Sequence, residues 1–235
     1  IAFALRKHRL TGKLPPTRSH GQPYRTSNGI EMKLIGMLDS PYVRRVAICL
    51  KLLKLDFEHQ SISVFSTYDA FAKINPVVKA PTLILDDGQQ VMDSTVILQY
   101  VATLAAPDQR IFPTQAEHCL RAARLTGLAL AASEKTVQIV YERNLRPAEK
   151  QHEPWIKRVT EQLHAAYRAL EEELAAAPLP VEPNRFGAAD VAVAVAWNFT
   201  QMFLPEIVTK AAHPHLQAFS EVAERLPVFL DTPAA

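Results

Sequence analysis

The sequence predicts an α+β chain in which a small mixed sheet of order βαβ-α-ββα precedes an all-helical half. Three observations carry that prediction. Between residues 32 and 105, strand-length apolar runs alternate with apolar residues at helical spacing. The tripeptide DDG, residues 86–88, lies between two short apolar runs, a hairpin signal. Beyond residue 115 the apolar positions recur at steps of three or four and no strand signal is left.

In chain order, KLIGML (33–38) is an apolar run of strand length. After Ser40 and Pro41, the residues Val43, Val46, Ala47, Leu50 and Leu53 mark one face of an amphipathic helix, and Pro41 fits its first position, where a missing N–H costs nothing. FEHQSI (57–62) alternates as a second strand, so the first three elements predict a parallel unit with a right-handed crossover. YDAFAKI (68–74) is a short helix, TLIL (82–85) and QQVM (89–92) form the hairpin, and TVILQYVATLA (95–105) is a helix. The prolines and polar residues of APDQRIFPTQ (106–115) read as a linker. Helices follow over 116–142, 152–176 and 188–204, the last apolar all round and so expected at the centre. EEELAAAPLPVEP reads as a helix end running into a loop. The expected division is a sheet domain at 32–106 and a helical domain at 113–235.

Composition narrows the function. With 235 residues, 48% of them hydrophobic, the chain can bury a sizeable core. Lys and Arg exceed Asp and Glu by only 26 to 24, far from the balance of a nucleic-acid binder. Residues 1–30 hold six of the basic residues and no acid, which leaves 20 against 24, a mildly acidic −4, for the rest. Residues 1–31 read as a flexible basic leader. Their composition fits a transit peptide, but vector-encoded residues or translation from upstream of Met32 would look the same and are the preferred reading. A basic arm for nucleic acid is third.

Cys49 and Cys119 lie far apart and fit no disulfide framework or CxxC motif, so a reducing, cytoplasmic location is expected. No apolar run reaches 18 residues, and FGAADVAVAVAW is interrupted by Asp190, so no membrane span is expected. No GxGxxG, P-loop or GxSxG is present.

Three stretches in order, DSPYVRRVAICLKLLKL, NPVVKAPTLILDDGQQVMDSTVILQYV and an all-helical second half, together resemble the glutathione transferase family. The first half is most similar to the serine-type tau class and related bacterial enzymes, and YERNLRP followed by Trp155 resembles bacterial members. The resemblance covers residues 32 to about 230. It implies a thioredoxin-like first domain, glutathione as co-substrate without a metal, a small-molecule electrophile as partner, and a homodimer.

The resemblance also assigns roles. Ser40, at a strand end beside a helix N-terminus, sits where backbone N–H groups and the helix dipole favour an anion such as a thiolate. Lowering a thiol pKa of ~8.5 by about two units corresponds to roughly 3 kcal/mol of differential stabilisation, and the Ser40 hydroxyl would supply part of it. Capping the helix is the plain alternative, and one geometry can do both. In the family the proline at Pro81 is cis and turns the backbone of Ala80 toward the cysteinyl amide of glutathione; a strand-entry proline is the alternative. Lys79 would reach the glycyl carboxylate as a point charge, with a solvated loop lysine as the alternative. Ser94 would bind the γ-glutamyl carboxylate at a helix N-terminus and Asp93 its ammonium; alone, the pair reads as an N-cap.

Asp190 matches a buried helix start at which the family places Ser or Thr three residues earlier; Gly187 stands there, which predicts a weaker cap. Tyr42, Tyr141, Trp197 and Phe203 are candidates for the wall of an electrophile cleft, with core packing as the alternative, and Trp155 is expected in the core. His213 and His215 read as loop residues rather than metal ligands, and Cys49 as a small buried hydrophobe. The expected activity is conjugation of glutathione to apolar electrophiles in detoxification. The competitors are a non-catalytic member of the fold or another glutathione reaction, such as peroxide reduction, isomerisation or dehalogenation. A thiol-disulfide oxidoreductase would need a cysteine in place of Ser40.

Overall fold

The computed structural model describes residues 32–180, 182 and 185–234; the expected leader at 1–31 lies outside them. The strands are β1 (Met32–Ile35), β2 (Phe57–Gln60), β3 (Thr82–Ile84) and β4 (Gln90–Met92). The helices are α1 (Pro41–Leu52), α2 (Tyr68–Ile74), α3 (Ser94–Ala102), α4 (Ala116–Leu145), α5 (Glu153–Ala176), α6 (Ala188–Phe203), α7 (Pro214–Ala223) and α8 (Pro227–Leu230). The sheet order is β2-β1-β3-β4, with β1 parallel to β2 and antiparallel to β3, and β3 antiparallel to β4. This is a thioredoxin-like domain followed by a helical one.

Local chemistry sets the boundaries that position the cleft. β1 stops at Ile35, short of the residue 38 expected from the apolar run, because Gly36 takes φ +137° and passes its N–H to the carbonyl of Gln60 at 3.1 Å. A Cβ at Gly36 would lie 2.6 Å from Val43 Cγ2 and 3.1 Å from Ala80 Cβ. Only glycine lets the strand end this close to α1 and to the loop before β3. Gly88, at φ +81°, closes the β3–β4 hairpin.

The apolar face of α1 is buried as expected, with Val43, Val46, Ala47, Leu50 and Leu53 all at 0–1% exposure. Two charged neighbours are buried beside it. Arg44 donates from Nη1 and Nη2 to the Glu224 carboxylate at 2.7 and 2.6 Å, and from Nε to the Thr232 carbonyl at 2.8 Å. A guanidinium so enclosed depends on its partners, since an unpaired buried charge is far costlier than an unpaired surface one. The contact ties the first helix of the sheet domain to the last segment of the helical domain.

At the centre of the helical half, α6 packs on α4, α1 and α7. Its residues from Ala188 to Trp197 are all buried. Inside, Tyr167 Oη donates to the Ala196 carbonyl at 2.8 Å and shares a 2.5 Å bond with Thr200 Oγ1, which also meets Thr136 Oγ1 at 2.8 Å. These bonds satisfy polar atoms that would otherwise be stranded in an apolar core.

The start of α6 explains the glycine. A Cβ at Gly187 would sit 2.9 Å from the Ile111 carbonyl oxygen, and that carbonyl accepts the Ala188 N–H at 2.8 Å. Asp190 Oδ2 accepts the Gly187 N–H at 2.7 Å. The side-chain cap bond is absent, as the sequence led us to expect; the 106–115 linker backbone takes the separate N1 donor, and a side chain at residue 187 would collide with it. Burial pushes the Asp190 carboxyl up to about 6, against the pull of the Gly187 N–H and Arg121.

Trp155 is a correction. It is 41% exposed, because the first turn of α5 stands clear of its neighbours and Ile156 takes the inward position. The short helices α7 and α8 were not expected, although Leu216, Phe219 and Ala223 bury one face of α7. No described helix is long and apolar enough to cross a membrane.

Candidate active site

The site is a cleft of about 970 Å³ between the sheet domain and helices α4 and α6. On the sheet side, three chain turns converge. Ser40 is the N-cap of α1, with φ −72° and ψ 124°; its Oγ accepts the Val43 N–H at 3.5 Å and its carbonyl the Arg44 N–H at 3.0 Å. The serine therefore caps the helix and lines the cleft at once. The cap contact uses the hydroxyl oxygen as acceptor and does not engage its proton.

The second turn is residues 75–82. Asn75 Nδ2 donates to Thr82 Oγ1 at 2.8 Å and its Oδ1 accepts the Val77 N–H at 3.0 Å, while Thr82 Oγ1 donates to the Lys79 carbonyl at 2.7 Å. These bonds hold Val78 at φ +52°, an unfavourable conformation for a β-branched residue. The Ala80–Pro81 peptide is cis, and both residues line the cleft with Lys79.

The third turn opens α3. Asp93, at φ +74°, is the N-cap and accepts the Thr95 N–H at 2.9 Å. Its other oxygen lies 3.7 Å from Lys79 Nζ. Ser94 is 3% exposed, and its Oγ accepts a 3.1 Å bond from Arg45 Nη1, which also reaches Thr95 Oγ1 at 3.2 Å. Arg45 was missed by the sequence reading: at 2% exposure it is a cation placed under a helix N-terminus, and its Nε has no hydrogen-bond partner. Desolvation lowers its pKa. An anion at the start of α3 would meet the first-turn N–H groups, the Ser94 hydroxyl and the field of Arg45.

The opposite wall is mainly apolar, made by Leu130, Val137, Val140, Tyr141, Phe199 and Phe203, with the Glu134 carboxylate of α4 among them. Tyr42 and Tyr141 line the cleft as expected, and so does Phe203. Trp197 does not. It is 1% exposed, donates Nε1–H to Gln217 at 3.0 Å and packs edge-on against Tyr167, so Phe199 occupies the wall in its place. Burial first, and then the Glu134 carboxylate, push the Tyr42 phenol up to about 12, too high for an anionic role near neutrality. Cys49 is fully buried and its thiol is pushed up to about 12, leaving it inert.

His213 and His215 do not converge on a metal: His213 Nδ1 meets the Thr209 carbonyl and His215 the Glu171 carboxylate. Among the described residues no group of three His, Cys, Asp or Glu could hold one.

The family models for the N-terminal and C-terminal domains of glutathione S-transferase match residues 34–109 and 153–221 respectively. The chain belongs to the glutathione transferase family. It is 28% identical over 173 residues, 73% of this chain and 84% of the relative, to the uncharacterized GST-like protein YibF of Escherichia coli K12. It is 37% identical over 71 residues, 30% of each chain, to the probable glutathione S-transferase GSTU6 of rice. Among solved structures, a glutathione S-transferase from Methylobacterium radiotolerans in complex with glutathione sulfonate superposes with a TM-score of 0.78 at 26% identity, covering 86% of this chain and 94% of that one. A family member from Pseudomonas fluorescens with bound glutathione gives 0.72 at 27%, covering 86% and 98%. Most of the plant relatives match about a third of the chain, one from Arabidopsis thaliana matches 62% of it, and the Escherichia coli relative 73%.

Proposed function

We propose that this chain is an active glutathione transferase that joins the thiolate of glutathione to apolar electrophiles. The observation that carries the reading is Ser40: a helix-capping hydroxyl on the floor of a cleft with an anion-binding turn on one side and an apolar wall on the other. In this reading the γ-glutamyl carboxylate sits on Ser94 and the N–H groups of α3, with Arg45 behind them, and the ammonium goes to Asp93. The backbone of Ala80 pairs with the cysteinyl amide, and Lys79 turns from Asp93 toward the glycyl carboxylate. The sulfur then lies near Ser40, whose Oγ–H and helix N-terminus stabilise its charge as the thiol proton leaves to solvent. Attack on a carbon held against the apolar wall gains from proximity as well as from thiolate stabilisation.

The same reading carries a cytoplasmic, detoxifying homodimer, with the chain divided into domains at 32–106 and 113–235. Apolar Met92 and Val96, exposed on β4 and α3, suit a second copy. The test is calorimetric titration with glutathione, followed by conjugation to an aryl halide across about pH 5.5 to 9. Tight binding with turnover rising through a pKa well below ~8.5 is the expected result. Binding without conjugation would overturn it in favour of a regulator or another glutathione reaction, and no binding would leave only the fold.

A further inference from the structure

We propose that the cleft selects its electrophile by charge, accepting neutral and cationic arenes and rejecting those that carry a carboxylate or sulfonate. The inference rests on the conjugation reading and names the co-substrate class. The electrophile side of the cleft is lined by five aromatic rings, Tyr42, Phe65, Tyr141, Phe199 and Phe203. Phe65 and Tyr141 meet edge to face at 5.3 Å across the two domains, and Phe199 and Phe203 lie 5.0 Å apart. Ring faces carry partial negative charge, so they attract electron-poor arenes and cations.

Two carboxylates share this side, Asp39 before Ser40 and Glu134 on α4. Both are felt by the rings: after burial, Glu134 is the next cause of the raised Tyr42 phenol and Asp39 of the raised Tyr141 phenol. The cations nearby are committed. Lys79, the only cation among the described lining residues, faces Asp93 at 3.7 Å; Arg45 is buried behind Ser94; Lys135, outside the lining, lies 3.3 Å from Glu134 and only partly offsets it. Glutathione brings carboxylates of its own to the Lys79 end. An anionic electrophile would lose its water, find no free cation, and face Asp39, Glu134 and the thiolate together.

The experiment uses three acceptors with one reacting core: a chlorodinitrobenzoate, its N-methylamide, and the amide bearing a trimethylammonioethyl group. In each the sulfur attacks the carbon bearing chlorine, the C–S bond forms, the C–Cl bond breaks and chloride leaves, the thiol proton having gone to solvent. Each kcat/KM is divided by the uncatalysed rate constant with glutathione, which removes intrinsic reactivity. The amide and the ammonium acceptor are expected to be accelerated at least about tenfold more than the benzoate, about 1.4 kcal/mol of discrimination.

Glu134→Gln and Asp39→Asn should each shift the amide-to-benzoate ratio toward unity within that variant. Raising salt from about 0.02 to about 0.5 M should narrow it in the unmodified protein. A benzoate accelerated as strongly as its amide, or a ratio that neither substitution nor salt moves, overturns the charge filter while conjugation stands. Glutathione binding with no acceptor accelerated overturns conjugation and the filter together.

Discussion

The sheet-side wall of the cleft is made of turns and helix starts, whereas the helical wall is made of side chains on the flanks of two long helices. On the first wall, Ser40, Ala80, Pro81 and Ser94 are fixed by backbone geometry: a cap, a strained loop and a helix opened by a residue at positive φ. On the second, Val137, Tyr141, Phe199 and Phe203 are held only by which way α4 and α6 face. Backbone-built sites are specific to one ligand frame, because amide donors cannot be moved without refolding the turn. Side-chain walls can be recut by single substitutions without touching the fold. A constant co-substrate fits the first and a changeable one the second.

That contrast can be broken at its strongest point by Ser40→Ala. The loss of one hydroxyl donor to a developing thiolate should lower kcat/KM about 10²-fold, with glutathione affinity changed by less than about threefold in calorimetry. A larger loss of affinity than of turnover would make Ser40 a binding residue. Next in size is the clamp that holds the walls together. Glu224→Gln leaves the buried Arg44 guanidinium without a countercharge and should destabilise the protein by about 2–3 kcal/mol in chemical denaturation, the partial exposure of Glu224 keeping the cost below that of a fully buried pair.

Ser94→Ala removes the hydroxyl that accepts from the buried Arg45 and meets the γ-glutamyl carboxylate in the proposed reading, and should weaken glutathione about tenfold, ~1.4 kcal/mol, while KM for the electrophile stays put. The mildest test is Gly127→Ala on the other wall. Gly127 lies inside α4 and lines the cleft, with nothing within 4 Å of where a Cβ would stand. Alanine should raise stability by about 0.5–1 kcal/mol and raise KM for bulky acceptors a few-fold without changing glutathione affinity. A change in the glutathione constant instead would mean that the walls are not separable.

The same division explains what the sequence made legible. Turn chemistry is local, so DSP and DS read as helix starts and KAP as a strand entry by residue type, their joint role as a site came only from the family resemblance, and the buried face of α1 follows from spacing. Side-chain direction on a helix buried all round is not local: Trp197 and Phe199 are both apolar residues of α6, yet one turns toward Tyr167 and Gln217 and the other toward the cleft. Arg44 and Arg45 were hidden for a related reason. Charges on an amphipathic helix read as its wet face, and only the arrival of α3 on one flank and of residues 224–232 on the other buries them. Trp155 fitted the α5 stripe by spacing, but spacing carries no information on where a helix outruns its neighbours.

The Arg44 clamp bears on where this chain can be trimmed. Terminal residues are usually the safest to remove, because few contacts cross to them. Here the segment after α8 is different: the Thr232 carbonyl accepts a hydrogen bond from Arg44 Nε–H, and the Thr232 hydroxyl donates back to the Val228 carbonyl at 2.6 Å. A chain ended after Leu230 would strand a guanidinium donor on the very helix whose first turn presents Ser40, so its melting temperature should fall even though Ser40 itself is intact.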